Sequence, residues 1–124
     1  HAPRRLTPEE WEYMHQHTVI GARIISAAPE LLPVAEIVRS SHERWDGGGY
    51  PDGLAGEAIP LGARIVAVCD SFEAMTADRA YRKAMPEADA LAELRRCTGT
   101  QFDPRVVAAF EAVLDRARTP ALAA

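Results

Sequence analysis

An all-α chain is expected here, on three grounds. Proline and capping residues mark helix starts at Thr7-Pro8, Pro60, Pro86 and Asp103-Pro104. Apolar side chains recur at helical spacing in the segments between Pro29 and Met75, and no stretch alternates apolar with polar residues as a half-buried strand would. Nor does any stretch show an internal repeat or low complexity.

Thr7-Pro8-Glu9-Glu10 reads as a threonine cap, a proline at the first helical position and a glutamate three residues after the cap, so a helix should run from there to about Ala28. Pro29 and Pro33 bracket a short turn. Val34, Ile37 and Val38 then mark a second helix leading to His42. The segment from Glu43 to Ile59 carries Gly47, Gly48, Gly49, Gly53 and Gly56 together with Pro51, too many breakers for a regular element, and must be held by its own contacts. Pro60 opens a helix whose stripe is Ile65, Val68, Cys69, Phe72 and Met75. Because Ala63, Val66, Ala67 and Ala74 make its other side apolar too, it should be buried nearly all round. Pro86 begins a helix through about Arg96, and Asp103-Pro104 caps a last one through about Arg118. The residues from Thr119 have little to bury and should fray.

At 124 residues the chain is one domain with a single modest core. Hydrophobic residues make up 48% and charged residues 26%, as in ordinary globular proteins, and no apolar run reaches the roughly 18 residues of a membrane span. The formal charge of −4 excludes a broad basic surface and with it general DNA or RNA binding, but a few clustered arginines can hold a small phosphorylated ligand. Cys69 and Cys97 are too few for a disulfide scaffold and read as small buried apolar residues in a reducing cytosol, which places the chain in the cytoplasm.

Asp70 is the first candidate for chemistry. It interrupts Ile65-Val66-Ala67-Val68-Cys69 on the most hydrophobic helix, where an ionised carboxylate costs several kcal/mol unless paired, hydrogen-bonded or metal-bound. An arginine, a helix end and a metal ion are all open as its partner. His17 shares a helix stripe with Met14 and Gly21, the glycine leaving room for another backbone. His15 lies on a different side, nearer Trp11 and Val19. His42 ends a helix and enters a glycine loop, where functional residues concentrate.

The run His42-Glu43-Arg44-Trp45-Asp46-Gly47-Gly48-Gly49-Tyr50-Pro51 resembles the HHExxDGxGYP signature of the HD-GYP family. Further landmarks of that family follow in order: Leu6 to Glu10, Met14 to Gly21, Ile59 to Ile65, Asp70 to Met75, Asp78 to Ala84 and Gly99 to Pro104, so the resemblance covers residues 3 to 116. It implies a helix bundle of the HD-domain phosphohydrolase type. It also implies a cluster of divalent metal ions, commonly iron or manganese, and the hydrolysis of cyclic di-GMP. Carried over by position, His17, His42 and Asp70 match metal ligands, whereas Tyr50, Arg79 and Arg82 match groups that contact the dinucleotide and its phosphates. Their chemistry suits those roles: imidazole and carboxylate hold a divalent ion, and an arginine forks onto phosphate. Without the resemblance, Tyr50-Pro51 would simply shape the loop, and Arg79 and Arg82 would pair with Asp78, Glu73 or Glu87.

Two departures from the family pattern bear on activity. The family's paired His-Asp and the lysine after it lie upstream of the segment matching His1, so the expectation is a C-terminal portion of the domain, residues 1–118, truncated at its N-terminus, with a frayed tail over 119–124. Ser41 stands where the family has its first histidine, and a hydroxyl is a poor ligand beside imidazole. No catalytic residue is therefore assigned, the metal is expected to be weakly held or absent, and a degenerate module that binds nucleotide or a protein partner in signalling is the alternative. Apolar side chains left uncovered on the Trp11 helix or the Ile65 to Met75 helix would favour a homodimer.

Overall fold

The computed structural model describes residues 7–27 and 29–118. It contains five α-helices: α1 (Pro8–Ser26), α2 (Leu32–Ser40), α3 (Leu61–Thr76), α4 (Glu87–Arg96) and α5 (Pro104–Arg118), with short 3₁₀ turns at Pro29–Leu31 and Gly56–Ala58. The described residues form no strand, only isolated backbone bridges between Arg79 and Arg82 and between Thr98 and Phe102. No described helix is long and apolar enough to cross a membrane. The expected fraying from Thr119 lies outside the described residues.

The helix starts follow from local chemistry. At α1 the Thr7 hydroxyl accepts the Glu10 N–H at 3.1 Å while the Glu10 carboxylate accepts the Thr7 N–H at 2.8 Å, a reciprocal pair that satisfies donors the helix cannot. At α5 the Asp103 carboxylate accepts the Arg105 N–H at 2.8 Å. Pro33 does not close the turn before α2 as expected; it sits inside that helix's first turn, where a proline removes no needed donor. At the other end of α2 the Ser41 hydroxyl donates to the Val38 carbonyl at 2.9 Å, closing the helix.

The core belongs to the second half of the chain. Val68 and Met75 of α3 pack with Ala90, Leu91 and Leu94 of α4, Phe102, and Val106 and Val107 of α5. Helices α1 and α2 form a separate antiparallel pair whose buried residues are small or polar, Thr18, Ala22 and Ala35 among them. Gly21 does face α2, but it meets the Val38 side chain rather than a backbone: a Cβ there would sit 3.4 Å from Val38 Cγ1. The tight approach is at Gly62, where a Cβ would come within 2.6 Å of Ile37 and where α3 crosses α2.

The expectation that α3 is buried nearly all round fails. Leu61, Ile65, Cys69 and Asp70 face outward, and only Ala63, Val68 and Met75 are buried. The reason is the small number of elements packed on it: α4 and α5 cover one side and α2 crosses its start, which leaves a strip free. Asp70 therefore loses no hydration that a buried partner must replace, and Cys69 is exposed rather than part of the core. Between α3 and α5 the strip becomes an apolar groove of about 580 Å³, lined by Leu61, Ile65, Cys69, Ala109, Phe110 and Val113 among others.

Candidate functional site

The loop between α2 and α3 is pinned at base and tip. At its base the Trp45 and Asp46 N–H groups donate to the Gln101 and Thr100 carbonyls at 3.1 and 2.8 Å, tying it to the α4–α5 turn. At its tip the buried Glu43 carboxylate accepts the Asp52 and Leu54 N–H groups at 2.8 and 2.9 Å. Arg39 of α2 adds a forked ion pair to Asp52 at 2.9 and 3.0 Å. Gly49 allows the chain to fold back on itself: a Cβ there would lie 2.5 Å from Arg44 N and 2.5 Å from His42 O, so no other residue fits without opening the loop.

Folding back puts Tyr50 directly on His42. The Tyr50 N–H donates to the His42 carbonyl at 3.2 Å, and the two rings stack at 5.2 Å with an angle of 8°. On its other neighbour the Tyr50 ring stacks on His15 of α1 at 4.4 Å and 10°, while the Trp11 ring meets it edge-on at 5.5 Å. Burial pushes the Tyr50 phenol above its ordinary pKa, so it remains a protonated donor at neutral pH.

His42 feels the charge of two of the other candidates. Its pKa is pulled below the ordinary value first by lost hydration and then by the nearby His17 imidazole, with Asp70 acting in the opposite sense. His17 and Asp70 are therefore both within electrostatic reach, although α1, the loop and α3 carry the three residues separately. A neutral imidazole is the form that binds a metal. His17 and Asp70 are exposed, His42 keeps solvent contact on the side that Tyr50 does not cover, and His17 also lies against the Tyr13 ring at 6.4 Å.

This neighbourhood is not a closed metal cage. Among the described residues no three His, Cys, Asp or Glu side chains stand close enough to hold one ion. Ser41 adds little, because a neutral hydroxyl is a poor ligand beside imidazole; its proton goes to the Val38 carbonyl. The donor groups described do not by themselves fit a divalent centre.

Arg79 and Arg82 sit in the turn after α3 and bond each other through their backbones, Arg79 N–H to Arg82 O at 2.8 Å and the reverse at 3.2 Å. Arg79 pairs with Glu73 at 2.7 Å, one helical turn along from Asp70, so the turn lies beside the same stretch of α3. Arg82 donates from Nη2 to the Ala74 carbonyl at 2.6 Å. Its Nε is buried and finds no hydrogen-bond partner among the described residues.

Reasoning from sequence set His15 beside Trp11 and read Glu43 within the motif, but gave none of the three a role in the site. The first two sit one helical turn apart on α1, and that spacing is legible; what the spacing cannot show is that the loop brings Tyr50 to meet them. Glu43 resembles any charged loop residue until its burial is seen.

The HD domain family profile matches residues 1–106. A cyclic di-GMP phosphodiesterase of Thermotoga maritima is 49% identical over 110 residues, covering 87% of this chain and 30% of that protein. A cyclic di-GMP phosphodiesterase response regulator of Xanthomonas campestris is 47% identical, with 85% of this chain and 28% of that protein covered. A 3'3'-cGAMP-specific phosphodiesterase of Vibrio cholerae is 38% identical, with coverages of 86% and 21%. Among solved structures, a cyclic GMP-AMP-specific phosphodiesterase of Vibrio cholerae superposes with a TM-score of 0.60 at 30% identity, over 72% of this chain and 19% of that one. The chain thus spans 30% or less of the length of these relatives.

Proposed function

The chain belongs to the HD domain family, on its HD-GYP side, and from that premise we propose that it is a phosphohydrolase-type module that binds a cyclic dinucleotide such as cyclic di-GMP but does not turn it over with its own groups. The observation that supports this reading is the ring stack of Tyr50 on His42 and on His15, which joins the loop to α1, with His17 and Asp70 near enough to act on the charge of His42.

Each group has a role in binding and orienting the ligand. Tyr50 offers a neutral phenol and a ring edge. The Arg79 guanidinium makes an exposed pair with Glu73, worth about 1 kcal/mol or less, so exchanging that carboxylate for a forked phosphate contact costs little. Arg82 holds the turn in place through its bond to the Ala74 carbonyl, while its Nε, unused among the described residues, lies buried away from solvent.

HD-domain phosphohydrolases are generally metal-dependent. His17, His42 and Asp70 would contribute to an iron or manganese ion only in company with donors that the described residues do not supply. Hydrolysis of the same ligand is the second reading, favoured by the activity in the relatives' names, and cytoplasmic signalling is its setting.

The test is to incubate the chain with cyclic di-GMP and manganese or ferrous iron, separate the products, and measure binding by calorimetry. Binding without product is expected, with Arg79→Ala weakening it several-fold. Turnover near an ordinary enzyme's ~10 per second would overturn the inactive reading, and no binding at all would overturn the ligand.

A further inference from the structure

We propose that Glu43 is the positioning residue of this site: its carboxylate sets the loop tip so that Tyr50 is pressed between His42 and His15. The ring placement stands on geometry alone, and only its consequence for affinity rests on the ligand reading above.

Glu43 follows His42 directly, is 4% exposed, and has its own N–H bonded to the Ser40 carbonyl at 3.1 Å, which fixes it to the end of α2. Each carboxylate oxygen takes one donor: Oε2 takes the Asp52 N–H and Oε1 the Leu54 N–H. Those donors flank Gly53, whose φ of 69° turns the chain and aims both N–H groups the same way. Tyr50 therefore sits between two anchors, its own N–H on the His42 carbonyl and, two residues on, the Asp52 N–H on Glu43. With both ends of that short span held, the ring has little freedom to leave the stack.

The position needs this carboxylate. Glutamine offers one acceptor and turns an NH₂ toward the second N–H, leaving a buried donor facing a donor. Aspartate is one methylene shorter and does not reach both. The other restraint on the tip, the Arg39–Asp52 pair, is about 40% exposed on both partners and weak by comparison. Charge-assisted bonds from a buried carboxylate are the stronger kind.

The experiment compares Glu43→Gln with Asp52→Asn, which weakens the exposed pair but keeps the Asp52 N–H. In the unsubstituted chain the His15 and His42 ring protons should show large upfield shifts from the Tyr50 ring, and the Asp52 and Leu54 amides should exchange slowly. In Glu43→Gln the imidazole shifts should collapse while the Val68 and Leu94 methyl resonances of the core stay in place. Asp52→Asn should leave all of them unchanged. Cyclic di-GMP affinity should fall about tenfold in Glu43→Gln.

Imidazole shifts that survive in Glu43→Gln, or that collapse as far in Asp52→Asn, would overturn the proposal. So would fast exchange of the Asp52 and Leu54 amides in the unsubstituted chain, a measurement that needs no variant to fold. If the shifts collapse as expected but the unsubstituted chain binds no cyclic di-GMP, the ligand reading fails and the role of Glu43 stands.

Discussion

Asp103 shows how one side chain serves two structural ends. It accepts the Arg105 N–H at the start of α5 and pairs at 2.8 Å with Arg64 of α3, with side chains only 1% and 11% exposed. Burial pushes its pKa up, but the Arg64 hydrogen bond, the Arg105 N–H and the two positive charges outweigh that and hold it below the ordinary value. A carboxyl depressed in the folded state contributes stability that is complete above its unfolded value of about 3.9 and lost as pH falls through the folded one. Asp103→Ala should therefore cost about 3 kcal/mol near neutral pH, since it strands Arg64 and removes a cap, and the deficit in urea unfolding should narrow below about pH 4. Gly49→Ala is the complementary test. Its Cβ would meet backbone atoms of His42, Glu43 and Arg44 at 2.5 to 2.6 Å, and backbone cannot swing away as a side chain can. We expect a loss of about 2 kcal/mol or more together with loss of the ring shifts at His42, read by urea unfolding and proton spectra. The glycine run itself was visible in the sequence; which of its members the fold requires became visible only when the loop was seen to double back.

At the scale of elements the sequence was most informative where the physics is local. Starts at Pro8, Leu61, Glu87 and Pro104 agree with the Thr7-Pro8, Pro60, Pro86 and Asp103-Pro104 signals, because a cap is built from residues within one turn of each other. Thr7→Ala should cost about 1 kcal/mol, as the hydroxyl that accepts the Glu10 N–H disappears, and the loss is measurable as a lower thermal midpoint by circular dichroism. Pro33 marks the limit of such signals, since a proline suits both a turn and a first helical turn. The faces of α3 were misjudged for a different reason. Its composition is apolar on every side, but how much becomes buried depends on how many helices pack against it, and that is not a property of its own residues.

The whole molecule consists of a packed α3–α4–α5 core and an α1–α2 pair bound by small residues, with the loop and its ring stack between α1 and the end of α2. Much apolar surface remains outside: Ile20 and Ile24 on α1, Leu61 and Ile65 on α3, and Val113 on α5 are each more than 40% exposed. We expect the chain to brighten a hydrophobic dye while folded and to self-associate at micromolar concentration in light scattering; a dark, clean monomer would contradict this. The all-helical class, the helix starts and the membership of the HD-GYP side of the family were legible in the residues, because capping, periodicity and motif order are written along the chain. The action of His17 and Asp70 on the charge of His42, the exposure of Asp70, the His15–Tyr50–His42 stack and the service of Glu43 and Ser41 as local anchors were decided by tertiary structure alone. Hydration, charge and ring contact act through space, and residues far apart in sequence acquire those relations only when the chain has closed around them.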